Sequence, residues 1–129
     1  MTRFFDSHSH FDRKDGDEGY DATVRRAIDV GTERIMAIGG SHGLNSAALK
    51  VTADHPDQVR AAIGFDRDQS SEFARGDGAI NRIKIESHLD TRSDIMAIGE
   101  VGLDYHYLPE SAREQRFLFE SQLEIARGR

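Results

Sequence analysis

Asp6, His8 and His10 occupy alternate positions in DSHSHFDRKDG (6–16), a few residues into the sequence. Alternate residues of a strand point to one face, so these three would share a side and leave Ser7 and Ser9 on the other. Imidazoles that converge at a strand end suit Zn, Mn, Fe or Ni, and a nearby carboxylate widens the choice to Mg. The same pair also reads as one ring capping the strand with the other merely exposed. A second signal is Glu100, which interrupts the apolar run IMAIGEVGL (95–103) between Gly99 and Gly102. A carboxylate among apolar neighbours is costly to bury unless it is paired or metal-bound, whereas in a surface loop it would carry no such meaning. Asp104 follows in the same segment and could orient a ligand or cap a turn.

Such groups meet only if the elements that carry them end near one another. Four short apolar runs read as strands: RFFDSH (3–8), ERIMAIGG (33–40), VRAAIGF (59–65) and DIMAIGEVG (94–102). Helical patterns lie between and after them. Asp21 could cap a helix with Val24, Ala27 and Ile28 on one face and Gly31 as its stop. Leu44, Ala48 and Val51 mark a second helix that ends before Pro56. Ala79, Ile80 and Ile83 mark a third after the turn-like RGDG (75–78). A fourth, Glu110 to Arg127, follows Pro109 and places Ala112, Phe119, Leu123 and Ala126 at helical spacing. KDGDEG (14–19) reads as a solvated acidic loop. The order βαβαβαβα implies right-handed crossovers and a parallel sheet, with strands in sequential order. An open doubly wound sheet and a (β/α)8 barrel both begin this way. A complete barrel takes ~250 residues, so this chain is either an open fold or about half a barrel.

Composition sets the outer limits. The 129 residues fit one domain, and 37% hydrophobic content allows a modest core. No apolar run approaches the ~18 residues of a membrane span, and no stretch of signal-peptide length opens the sequence. There is no Cys, which excludes disulfides and thiolate metal sites. A soluble cytoplasmic protein with no membrane partner is the expectation. The formal charge of −6, from 23 acidic and 17 basic residues, argues against a broad basic face for nucleic acid. A local groove or a bound divalent cation could still receive a phosphate.

DSHSHFD (6–12) and AIGEVGLDYHY (97–107) closely resemble the two N-terminal motifs of the TatD family of metal-dependent hydrolases, which are amidohydrolase-like (β/α)8 barrels. EQRFLFESQLEIA (114–126) resembles the glutamine- and aromatic-containing helix of the same family. The resemblance implies an α/β fold in which residues 1–129 form a single domain, the N-terminal half of such a TIM barrel, with about four β/α units. It implies that His8 and His10 bind one divalent metal (Mg, Mn or Zn) and that Glu100, the catalytic carboxylate, bridges it to a second. Asp6 would support the histidines through hydrogen bonds. Asp104, His42 and His106 are further candidates for ligand or substrate contact, while His55 and His88 read as surface. The implied activity is that of a TatD-like deoxyribonuclease that cleaves phosphodiester bonds of DNA. A hydrolase of another ester or an amide, and a non-catalytic interaction module, are the alternatives.

The chain departs from the family pattern in two places. AIGFDRDQ (62–69) stands where the family often has a Gly-Ile-His-Pro-His-like segment, so Asp66 or Asp68 would have to serve instead. After EIARGR (124–129) the family continues into strands that carry two further His and an Asp. The chain is therefore expected to hydrolyse DNA poorly alone, and to associate with a C-terminal half or with a second copy of itself.

Overall fold

In the computed structural model, residues 3–12 and 19–129 are described. Most of the expected acidic loop, 14–18, lies outside the described residues. The strands are β1 (Phe4–Ser9), β2 (Thr32–Gly40), β3 (Val59–Phe65) and β4 (Ile95–Ile98). They form one parallel sheet in the order β1-β2-β3-β4. Sequential parallel strands with alternating helices are the arrangement of a partial (β/α) barrel. Gly40 pairs with Phe65, and Ile63 with Ile98, so the carboxyl ends of these strands finish nearly level. β4 stops at Ile98, earlier than its apolar run suggests, which leaves Gly99 and Glu100 in the loop beyond it.

The helices are α1 (Gly19–Asp29), α2 (His42–Asp54), the single turn α3 (Ser70–Glu72), α4 (Gly78–Thr91) and α5 (Ala112–Arg127). Asp21 lies in the first turn of α1 rather than at its cap, and its carboxylate meets His55 Nε2 at 2.7 Å. Gly31, with φ of 105°, reverses the chain after α1, a conformation that glycine adopts without steric cost. Ser41 caps α2 by accepting the Leu44 N–H at 3.2 Å, and α2 ends at Asp54, with His55 as its C-terminal cap just before Pro56. Val24, Ile35, Val51, Val59, Ile63, Ile85, Leu118 and Ile125 are buried in the continuous core that these helices form on the sheet. Each such burial contributes roughly 1.5–3 kcal/mol of transfer free energy.

Two helices turn a different face to the core from the one their apolar spacing suggests. In α4, Ile80 and Ile83 are exposed, whereas Asn81 and Ile85, one turn apart, are buried. A side chain at Gly78 would come within 2.8 Å of the Phe73 ring, and this close approach fixes how α4 sits. In α5, the buried residues are Gln115, Leu118, Gln122 and Ile125, while Leu123 and Ala126 are exposed. The two glutamines are buried because their amides replace water for backbone groups that would otherwise lie unpaired.

Candidate metal centre

The carboxyl ends of β1 and β4 bring His8, His10 and Glu100 together. The two imidazoles meet with Nε2 to Nε2 at 3.2 Å and ring planes crossed at 82°. Glu100 Oε2 lies 3.6 Å from His8 Nε2 and 3.3 Å from His10 Nε2. One ligand atom from each residue falls within 4.8 Å of the others. His10 Nδ1 lies 3.1 Å from the Ile38 carbonyl, which can only accept, so Nδ1 carries a proton and, in the neutral ring, Nε2 holds the lone pair on the side of the cluster. Two imidazole nitrogens and one carboxylate oxygen, aimed at one point and half open to solvent, are a donor set that fits a divalent cation.

Around this point each element is pinned by polar contacts. Asp6 does not join the cluster. Its carboxylate accepts the His8 N–H at 3.1 Å and the Ser9 hydroxyl at 2.5 Å, and it sets the end of β1 where the pairing with β2 shifts register. Its support for the histidines thus runs through backbone rather than through an imidazole. Gly40, at the end of β2, has a φ of 129°, and a Cβ there would lie 3.3 Å from Asp66 Oδ2 and 3.6 Å from Glu100 Cβ. Glycine at this point lets the Asp66 and Glu100 side chains close over the strand end. The peptide between Gly99 and Glu100 is cis.

The remaining predicted residues divide between the cluster and its surroundings. Asp104 Oδ1 accepts the N–H groups of His106 at 2.9 Å and Tyr107 at 2.8 Å. The Tyr107 bond, followed by that of His106, holds the Asp104 carboxyl below the usual carboxylate range, assisted by the charge of Arg67. Asp104 is therefore a turn-forming residue that also faces the site. Asp66 accepts the Asp68 N–H at 2.8 Å and opens the turn after β3. Burial pushes its carboxyl up, and the charges of Asp68 and Glu100 push the same way. Asp68 is exposed. His42 is not brought to the cluster: its ring packs edge-on against Phe65, with centroids 5.0 Å apart, and lines a cavity with Lys84 and His88. The His106 ring stacks against Tyr107 at 4.5 Å and is exposed.

Three supporting residues escaped the sequence analysis. Arg67 reaches the carboxylate side, with Nη1 3.2 Å from Glu100 Oε1. Gln122 is buried and clamps the last residue of β3, accepting the Phe65 N–H at 2.7 Å and donating to its carbonyl at 2.8 Å. Gln115 is buried as well. Its Oε1 accepts the Asp104 N–H at 2.7 Å and its Nε2 donates to the Asp104 and Leu108 carbonyls, each at 2.9 Å. The seven-residue spacing of the two glutamines, within a helix that follows GEVGLDY, was the available signal.

A family model described as TatD related DNase matches residues 5–128. A metal-dependent hydrolase of Bacillus subtilis, YabD, is 27% identical over 123 residues, which cover 95% of this chain and 46% of that protein. A 3'-5' ssDNA/RNA exonuclease, TatD, of Erwinia tasmaniensis is 31% identical over 107 residues, covering 82% of this chain and 39% of that one. Among solved structures, an amidohydrolase from Saccharomyces cerevisiae superposes with a TM-score of 0.71 at 18% identity, over 96% of this chain and 44% of that one. The chain thus spans less than half the length of these relatives. Among the described residues no helix is long and apolar enough to cross a membrane.

Proposed function

This chain belongs to the TatD related DNase family, whose relatives include metal-dependent hydrolases, and we propose that it takes part in metal-dependent cleavage of phosphodiester bonds in DNA, with His8, His10 and Glu100 as metal ligands. The observation that carries this reading is the convergence of His8 Nε2, His10 Nε2 and Glu100 Oε2 within 4.8 Å in a chain of this family. His10 would be held by the Ile38 carbonyl in the orientation that leaves Nε2 free, and Glu100 would offer Oε2 beside it. Two imidazoles with one carboxylate favour Zn or Mn over Mg, which prefers oxygen ligands. When bound, such a cation polarises a phosphoryl oxygen and lowers the pKa of water. A nucleic-acid substrate agrees with the exonuclease and deoxyribonuclease names of several relatives, while others carry only the name of metal-dependent hydrolase.

A second element of the proposal is that residues 1–129 act as one domain of four β/α units that associates through β1 and β4. Phe4, Phe5 and Met96 are exposed on these two edge strands, and an edge strand offers unpaired backbone groups to a partner. The partner would be the second half of a barrel or another copy. The test is cleavage of end-labelled single-stranded DNA with Mn²⁺, by the 129-residue chain alone and mixed with the C-terminal half of the Bacillus subtilis relative. Weak cleavage alone, strong metal-dependent cleavage in the mixture and its loss on Glu100→Ala are expected. Cleavage in the mixture that survives Glu100→Ala overturns the assignment.

A further inference from the structure

We propose that Arg67 is a positioning residue of this centre: its guanidinium bridges Glu100 and Asp104 and so reserves one oxygen of Glu100 for the histidines. The inference rests on the metal reading above and adds to it a residue from the segment where the chain departs from the family pattern. The two oxygens of Glu100 have different partners. Oε1 accepts from Arg67 Nη1 at 3.2 Å, while Oε2 faces His8 and His10 at 3.6 and 3.3 Å. A glutamate has three side-chain torsions to fix, and an arginine on one oxygen removes most of that freedom before any ligand arrives at the other.

Arg67 also meets a second carboxylate. Its Nε is buried, lies 3.5 Å from Asp104 Oδ2 and has no hydrogen-bond partner among the described residues. Asp104 is fixed in turn by the N–H groups of His106 and Tyr107 and by the buried Gln115. Hydrogen bonds from the buried Gln115 of α5 to Asp104, the ion pair of Asp104 with Arg67 and the bond of Arg67 to Glu100 thus form one continuous series of polar contacts. The start of Arg67 is also set, because Asp66 immediately before it accepts the Asp68 N–H and forces a tight turn at the end of β3.

Charge and geometry predict opposite outcomes at this position. As a cation beside the centre, Arg67 repels a divalent ion, so its removal would tighten metal binding. As a fork on two carboxylates, it holds a ligand in place, so its removal would weaken binding. Geometry dominates, because the Arg67 charge is already matched by the two carboxylates it meets, Glu100 at 3.2 Å and Asp104 at 3.5 Å, so its removal frees Glu100 to turn away without unmasking a lone repulsive cation.

The experiment is Mn²⁺ titration by calorimetry of the 129-residue chain and of Arg67→Gln, Arg67→Lys and His8→Ala/His10→Ala, each first checked for folding by thermal melting. Arg67→Gln is expected to weaken Mn²⁺ binding about tenfold, as loss of a group that orients a metal ligand does. Arg67→Lys should also weaken it, since an ammonium cannot span both carboxylates, and it carries the test alone if Arg67→Gln fails to fold. Unchanged or tighter binding in Arg67→Gln, or full affinity in Arg67→Lys, overturns the positioning role. The double histidine variant should lose binding altogether. Should it bind as the parent does, the metal reading itself fails, an outcome separate from an effect confined to Arg67.

Discussion

β1 and β3 are parallel strands of six and seven residues in the same sheet, yet they live in different surroundings. All but one residue of β3 is buried, and all but one residue of β1 is exposed. Hydrogen bonding to a neighbour is common to both, so the difference is one of side-chain packing, which supplies most of a strand's stability. The candidate metal centre draws on both regimes. His8 and His10 come from the exposed strand and its end, whereas Asp104 is bonded by the buried Gln115, Arg67 follows the Phe65 that the buried Gln122 clamps, and Glu100 follows Gly99, whose N–H donates to the carbonyl of the buried Ile63. One half of the centre is held by the core, and the other by the pairing of β1 with β2, the Ile38 carbonyl on His10 and the buried Phe11 that follows it.

The largest effect that sharpens this contrast is expected from paired core and surface truncations. Ile63→Ala, at a site 1% exposed in β3, should cost about 3 kcal/mol in urea unfolding. Phe5→Ala, at a site 59% exposed in β1, should cost less than about 0.5 kcal/mol. Equal losses would mean that Phe5 is already covered by the association through β1 with another copy, which sedimentation at several concentrations would then reveal.

A smaller loss is expected at the clamp. Gln122→Ala leaves the Phe65 N–H and carbonyl without the amide that satisfies them in the core, at a cost of about 2 kcal/mol. The same unfolding measurement checks it, and a change no greater than that of Phe5→Ala would show that water replaces the amide.

The smallest effects are pH-dependent and opposite in sign for two neighbouring carboxylates. Asp104 is held below its ordinary value, chiefly by the Tyr107 N–H, so its charge stabilises the fold above that value and the contribution fades as pH falls through the lowered one. Asp104→Asn should flatten the fall in melting temperature as pH drops below the ordinary carboxylate value. Asp66 is pushed up, chiefly by burial, so its charge costs stability once pH exceeds the raised value. Asp66→Asn keeps a side-chain oxygen for the Asp68 N–H and should raise the melting temperature at neutral pH. A fall there would mean that the charge of Asp66 is compensated.

The strands and the three residues that cluster at their ends were legible in the sequence because their signals are local. Apolar runs that end in glycine or polar residues mark β1 to β3, His-x-His occupies alternate positions of a strand end, and Glu100 breaks an apolar run. The orientation of α4 and α5 was not legible. Ile80, Ile83, Ile85 and Leu89 surround α4 on several sides, so spacing alone does not select a face. In α5 half of the buried face is glutamine, and an amide signals core only when its backbone partners are known. Arg67 was hidden for a related reason. Its role depends on the turn that Asp66 makes after β3 and on two acidic residues more than thirty positions further on.

The central claim is that His8, His10 and Glu100 hold one divalent cation between β1 and β4. Its most direct test is a crystal of the chain soaked in Zn²⁺ and measured for anomalous scattering at the zinc absorption edge. The account predicts a peak within coordination distance, about 2.0–2.2 Å, of His8 Nε2, His10 Nε2 and Glu100 Oε2. A peak bound only by other residues, with none between these three, would contradict it.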